Sequence, residues 1–536
     1  MTAIPHNYFD TAAPMARVRI NRHVILFGLL LIFTALLRFD GKQVNTVFYD
    51  EAIYATLGRE VLAGDFSQHP ITWTFGSPLY PVLSSLVNDA AGYTGLRLLS
   101  TVFSVWSAAC VFLLAWRLFG SSAALWALAL FAVAGPSISL GQMAVYDTLS
   151  VPLLASAMCC MVYSAYTYRW QTHLLLLGGC LAALSVLAKY TAVLMLPSLV
   201  LLGLVVYLAR GRSFLALGLM VFPLALILLN YAVLNFSGLM ELLQETKTIT
   251  NSGTSPSFIL DTVLVEVGLI VLVGALSLWL IPFASFYRER VPFGIRLVLA
   301  VVLPSLIVSL FAVPAYHILT QSVQSLWKHT VYMLLFFAPL AGFGFHLLIE
   351  QCRKPGTKFT RLLRGGWAFV TLVVMLAYLH VSLSRNWGLM RSWPNVTHVI
   401  SHLQTVQWTR DTRLLAEQSA VYEYYFDLGA FDRSTWSNTF YFEYSSKTGI
   451  EAMLSAVKDN YFDVLVFDDY YTPAVNAALE EVLIKSGYEL TFVDQPQTLS
   501  TGQEIVIRVY ELQQSQEGND EPGTDWLGTP EHPIYN

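Results

Sequence analysis

Charge is what this sequence has least of. Only 12% of its 536 residues are Asp, Glu, Lys or Arg, against about a quarter in a soluble domain. With 55% hydrophobic residues, too little polar surface remains to keep so long a chain in solution, which excludes an ordinary soluble protein. Cysteine is scarce too. The five cysteines (Cys110, Cys159, Cys160, Cys180 and Cys352) fall in apolar runs or beside basic clusters, which argues against a disulfide-stapled external scaffold. The net charge of −5 is mild and by itself says nothing about nucleic acid, which is not expected as a partner, and solenoid-type repeats are absent.

What is present is a succession of apolar blocks, each close to the ~20 residues a helix needs to cross a bilayer. They run over residues 23–39, 96–119, 122–140, 144–166, 173–188, 191–208, 214–234, 258–286, 296–313, 330–349 and 367–383. The first lacks a small-residue cleavage site and reads as a retained helix. The pattern predicts a polytopic α-helical membrane protein with about eleven transmembrane helices.

Basic residues are retained on the cytoplasmic side, and here they recur at every second connection. Arg17, Arg19 and Arg22 precede the first span; Arg117, Arg169, Arg210 with Arg212, and Arg288 with Arg290 follow the second, fourth, sixth and eighth. Arg353, Lys354, Lys358, Arg361 and Arg364 follow the tenth. This predicts an integral protein of the cell membrane with a cytoplasmic N-terminus. Residues 40–95, 235–257, 314–329 and everything from about 386 would lie outside.

The last third changes character. Residues 412–418, 461–467 and 504–510 read as strands, and 450–459 and 474–486 as helices, predicting a small extracytoplasmic α/β domain. The expected division is a membrane module over 1–385, an α/β domain over 386–512 and a disordered tail over 513–536. Two aromatic runs, 422–426 and 440–444, suit either a carbohydrate-facing surface or the domain core, with the core favoured.

The first external segment carries the most chemistry. In Phe48-Tyr49-Asp50-Glu51-Ala52-Ile53-Tyr54-Ala55, a helix from Asp50 would align Ile53, Leu57 and Val61 as an apolar stripe. Asp50 and Tyr54 would then share a face, with Glu51 beside them. Asp50 would serve either as an N-cap or as a catalytic carboxylate.

This stretch resembles the Asp-Glu motif in the first external loop of GT-C glycosyltransferases, among them protein O-mannosyltransferases and lipid A aminoarabinose transferases. Further segments follow in family order: Gly76-Ser77-Pro78-Leu79-Tyr80, Arg97-Leu98-Leu99-Ser100, Arg117-Leu118-Phe119-Gly120, Asp147, Ala188-Lys189-Tyr190-Thr191, and Lys328-His329 with Tyr332 and Pro339. The resemblance covers about the first two-thirds of the chain. It departs from the family where a Lys precedes Pro-Pro-Leu and an Arg precedes the second acidic residue; neither basic residue is present here.

The resemblance implies a transferase moving a sugar from a polyprenyl-phosphate carrier to an acceptor hydroxyl at the extracytoplasmic surface, with the bilayer and the lipid-linked donor as partners. It implies Asp50 as the general base or the acceptor-orienting carboxylate, with Glu51 in support. Arg59, Tyr54, Asp147, Lys189, Lys328 and His329 would bind the donor and its phosphate. Lys189, Lys328 and His329 could equally be interfacial anchors, and Asp147 a helix cap. Some GT-C enzymes use a divalent cation, so the resemblance leaves metal dependence open. A divalent cation suits Asp50, Glu51 and His69 chemically, but their spacing matches no compact metal motif. A flippase for lipid-linked sugars is the alternative, although the span interiors hold few charges apart from Asp261 and Glu266. A non-catalytic assembly or sensor protein is the third reading.

Overall fold

The computed structural model describes residues 22–39, 44–64, 75–249, 253–280, 293–353, 358–406, 408–409, 411–426, 436–440 and 442–513. Residues 513–536, expected as a disordered tail, lie outside these except for Gln513. The chain divides into a helical unit, Met1–Asn395 with Glu423–Tyr425 and Leu499–Gln503, and a second unit formed by most of the rest.

In hydrocarbon the backbone finds no hydrogen-bond partner but itself, so long apolar runs close into helices. Among the described residues nine helices are long and apolar enough to cross a membrane. The first is α1 (Arg22–Phe39), and a shorter helix α2 (Tyr49–Ala63) follows it. Helix α3 (Leu79–Phe119) begins well before the expected residue 96 and breaks at Gly92, whose φ of 60° only glycine adopts freely. The predicted third span is two short helices, α4 (Ser121–Val133) and α5 (Gly135–Leu140). Next come α6 (Asp147–Ser164), α7 (Gln171–Ala188), α8 (Leu196–Ala209), α9 (Gly218–Leu234), α10 (Phe236–Ile249) and α11 (Pro256–Leu280).

The predicted ninth span is likewise broken. Helices α12 (Phe293–Leu310) and α13 (Ala312–Leu319) meet at 44°. The segment expected as an external loop over 314–329 is therefore largely helical, because α14 (Leu326–Arg353) begins within it. Helix α15 (Lys358–Leu389) completes the helical unit.

Among the described residues the second unit has strands numbered β1 to β9 in chain order. Strands β3 (Glu443–Tyr444) with β4 (Lys447–Thr448) and β7 (Gln497–Thr498) with β8 (Glu504–Ile505) form two small antiparallel pairs, and the other five form one sheet in the order β2-β1-β5-β9-β6. Strands β1 (Leu414–Ala416), β2 (Trp436–Asn438) and β5 (Val464–Phe467) run parallel; β9 (Arg508–Leu512) and β6 (Tyr488–Val493) add antiparallel. Helices α18 (Gly449–Lys458) and α19 (Pro473–Leu483) cover it, following α16 (Thr397–Leu403) and α17 (Ser419–Tyr425). Tyr422 and Phe442, from the two aromatic runs, are buried.

At the carboxyl ends of β1 and β5 two carboxylates meet. Glu417, fully buried, accepts hydrogen bonds from the backbone N–H of Asp469 (2.7 Å), Tyr471 (2.7 Å) and Thr472 (2.8 Å), and from the Asn476 amide. Asp468 accepts from Gln418 at 2.7 Å and from the Tyr470 N–H at 3.0 Å. Burial, and then the Glu417 charge, pushes the Asp468 carboxyl well above the usual carboxylate range. The folded state thus holds this proton more tightly than the unfolded chain, whose Asp titrates near 3.9. Stability therefore falls as pH rises from about 4 through the folded-state pKa. Asp468→Asn, permanently neutral, is expected to lose this dependence. Amide protection factors in β1 and β5, compared between about pH 5 and pH 7.5, measure it; an identical pH dependence in both proteins would refute the assignment.

Candidate active site

Helix α2 is held from below by Glu51. The Phe48 N–H donates to Glu51 Oε2 at 2.9 Å, so Glu51, rather than Asp50, caps the first turn. Arg97 of α3 binds the same carboxylate through Nε to Oε1 (3.1 Å) and Nη2 to Oε2 (2.9 Å), and both side chains are wholly buried. Tyr93 Oη (3.1 Å) and the Ala144 N–H (2.7 Å) donate as well. With α2 fixed to α3 and to the loop before α6, the neighbouring Asp50 takes a defined direction. Gly58 tightens the contact: a Cβ there would lie 2.0 Å from the Pro81 carbonyl oxygen.

Asp50 points the other way, into a cluster drawn from four parts of the helical unit. Its Oδ2 accepts from Lys328 Nζ at 2.7 Å; the Lys328 side chain is 4% exposed and that of Asp50 28%. One turn on, Tyr54 packs its ring 4.0 Å from Tyr146 and 5.9 Å from Tyr80, centroid to centroid. Burial, reinforced by Asp50, holds the Tyr54 phenol well above its usual range, so it remains a neutral donor. Arg59 is not brought to the cluster. Nine residues along a helix place it about 180° round from Asp50, and it pairs with Asp89 at 2.8 Å.

Two motifs distant in sequence meet to place Lys189. The Ser77 N–H donates to the Leu187 carbonyl (2.7 Å) and the Tyr190 N–H to the Phe75 carbonyl (3.0 Å). Gly76 permits this approach, since a Cβ there would lie 2.6 Å from the Ala188 carbonyl oxygen. Lys189, breaking the chain between α7 and the 3₁₀ turn Tyr190–Met195, sets its ammonium 5.4 Å from the Phe75 ring centroid and 5.6 Å from that of Tyr146. It is within electrostatic reach of Asp147, Lys328 and Asp50. Among the described residues it has no hydrogen-bond or ion-pair partner.

Asp147, at the start of α6, accepts from Tyr332 Oη at 3.2 Å through Oδ1, while Oδ2 is buried without a partner. His329 Nε2 lies 3.9 Å from Oδ1 and 3.4 Å from Thr191 Oγ1. Behind it stands His317 of α13, which sequence reasoning passed over. His317 Nδ1 is 2.7 Å from the Ser322 carbonyl oxygen, and its Nε2 is 3.0 Å from His329 Nδ1. A carbonyl can only accept, so His317 carries its proton on Nδ1 and, when neutral, accepts at Nε2. His329 then carries its proton on Nδ1 and presents a lone pair on Nε2 to the cluster. Only the twelve-residue spacing of two histidines at one predicted membrane face could have flagged this pair.

The cluster thus joins two carboxylates, two ammonium groups and an oriented imidazole. Among the described residues no group of three or more His, Cys, Asp or Glu is arranged to hold a metal ion. Of the three candidate ligands, Asp50 is paired with Lys328, Glu51 with Arg97, and His69 lies outside the described residues. Glu51→Gln would leave the Arg97 guanidinium buried beside a neutral group, and breaking such a pair costs about 3–5 kcal/mol. A clear fall in the thermal unfolding midpoint of the purified protein is expected. A midpoint equal to wild type would show that the pair does not anchor α2.

Comparisons with known proteins bear on the fold. Residues 77–234 match the family model for dolichyl-phosphate-mannose-protein mannosyltransferase. ArnT from Cupriavidus metallidurans, in a crystal structure with bound undecaprenyl phosphate, superposes with a TM-score of 0.57 at 14% identity, covering 90% of this chain and 97% of that one. The Archaeoglobus fulgidus oligosaccharyltransferase, in its apo form, gives a TM-score of 0.51 at 12% identity, covering 91% and 74%. No curated protein sequence matches significantly. The chain is an integral membrane protein with the GT-C glycosyltransferase fold.

Proposed function

We propose that this protein is a glycosyltransferase that moves a sugar from a polyprenyl-phosphate carrier to an acceptor hydroxyl of a protein, lipid or glycan on the extracytoplasmic face. One observation carries the reading: Asp50, partly exposed and ion-paired to Lys328, lies in the same cluster as Asp147 and the unpartnered Lys189. The mannosyltransferase match includes Asp147 and Lys189. The undecaprenyl phosphate bound by ArnT supports a lipid phosphate as leaving group. The arginines at the far ends of α3, α6 and α8 support placing the cluster outside.

In this reading Asp50 takes the proton of the acceptor hydroxyl as its oxygen bonds to the anomeric carbon. The carbon–oxygen bond to the phosphate breaks, and the polyprenyl phosphate leaves with the electron pair. The phosphodiester becomes a monoester and gains negative charge as it leaves. Lys189 and Lys328 therefore hold the transition state more tightly than the bound donor, which is the condition for acceleration. The His329 lone pair and Asp147 accept hydrogen bonds from sugar hydroxyls and orient the donor. Tyr54, kept neutral, donates to the phosphate. The second unit lies outside with the acceptor.

The test is transfer by purified protein in lipid from a panel of radiolabelled polyprenyl-phosphate sugars. Asp50→Asn is expected to lower kcat about a hundredfold or more while folding is retained, in the range of a lost general base. Lys189→Gln is expected to raise the donor KM and lower kcat together. Failure of every donor, or full activity in Asp50→Asn, would overturn the reading and move lipid-linked sugar translocation to the front.

A further inference from the structure

The four arginines at the other end of the helical unit have no counterpart in the chemistry above. Between Asp89 and Glu241 the chain contains one carboxylate, Asp147, and six basic residues. Arg97 is taken up by Glu51, and Lys189 faces Asp147. Arg117, Arg169, Arg210 and Arg212 remain. Helices α6 and α7 have 18 residues each, so their opposite ends lie about 27 Å from Asp147 and Lys189, roughly one hydrocarbon thickness.

At that end Arg117 and Arg210 press on the same ring. Their guanidinium carbons lie 3.7 and 3.6 Å from the Tyr166 centroid, hence no more than about 7 Å apart. Arg212 sits 3.1 Å over Tyr168, with one guanidinium nitrogen buried and lacking any hydrogen-bond partner. Among the described residues none of these three has a carboxylate within ion-pair distance. Like charges held this close repel unless an anion joins them.

Beside them opens a cavity of about 470 Å³, lined by Arg117, Tyr163, Tyr166, Trp170, His173 and Leu177, among others. Its chemistry is graded. Arg117 and His173 supply donors, while Leu174 and Leu177 make the wall apolar. Leu177 is half exposed on a membrane-spanning helix, so the wall continues onto the lipid-facing surface. Trp170 and Tyr168 are largely exposed at the helix ends, where aromatic side chains mark the level of the head groups.

We infer that this cavity binds the phosphate head group of an anionic phospholipid on the face opposite the Asp50 cluster, with an acyl chain along Leu174 and Leu177. The head group joins Arg117 to the neighbouring Arg210 and supplies the negative charge that the chain between Asp89 and Glu241 provides only at Asp147, at the opposite end. Zwitterionic lipid brings its own cation and fits less well. Inorganic phosphate matches the arginines but leaves the leucine wall bare.

Delipidated full-length protein in detergent is titrated with phosphatidylglycerol, phosphatidylcholine or inorganic phosphate, with occupancy read by native mass spectrometry and stability by the unfolding midpoint. Phosphatidylglycerol is expected to bind one-to-one and raise the midpoint. Arg117→Gln/Arg210→Gln is expected to weaken it roughly thirtyfold. Leu177→Trp, which fills the acyl wall and leaves both arginines, is expected to weaken it as well and decides the matter should the double variant not fold. Unchanged phosphatidylglycerol affinity in the variant tested, equal binding of phosphatidylcholine, or saturation by phosphate alone would overturn the proposal.

Discussion

The direction that Asp50 takes depends on one buried carboxylate. Glu51 gathers Phe48 and Tyr93, both nitrogen ends of the Arg97 fork and the loop entering α6. A carboxylate out of water is costly unless every lone pair is used, and here each oxygen has at least two donors. That saturation makes Glu51 unsuitable for chemistry and well suited to anchoring. Since adjacent helical residues are about 100° apart, fixing Glu51 inward turns Asp50 toward Lys328. Two consecutive carboxylates with the same charge thus have opposite environments, one fully buried and one in reach of solvent.

Charge is then divided between the ends of the helical unit. The cluster end mixes both signs and is close to electrically balanced. At the other end, among the described residues, Arg117, Arg210 and Arg212 have no carboxylate within ion-pair distance and lie against aromatic rings. Between them the helices are apolar, apart from groups such as Arg38, which is buried and bound wholly by neutral acceptors: Ser104, Ser137 and the Thr34 and Ala132 carbonyls. An ion pair between Glu266 of α11 and Arg385 of α15, at 2.9 Å, links two spans.

The spans were legible in the sequence because apolar runs are a local signal, and those missed as single helices were interrupted ones: α4 with α5, and α12 with α13. The C-terminal strands over 412–418 and 461–467 were legible for the same reason. Strand β2 and strand β6 were not, since Trp436–Asn438 is three residues long and Tyr488–Val493 is largely exposed. The cluster was legible only as a collection of residue types. Asp50 and Lys328 are 278 positions apart, and nothing local announces their pairing. Arg59 was misplaced by proximity in sequence, where helical geometry turns it to the opposite face. His317 was passed over because its significance lies wholly in the ring behind which it stands.

The ion pair between Asp50 and Lys328 has a consequence for the proposed reaction. Lys328 meets Asp50 at 2.7 Å, and in that reading the donor phosphate calls on the same ammonium. An anion arriving there would compete with Asp50 for Lys328. Under the proposed function the charge balance would therefore favour a donor that enters before the acceptor.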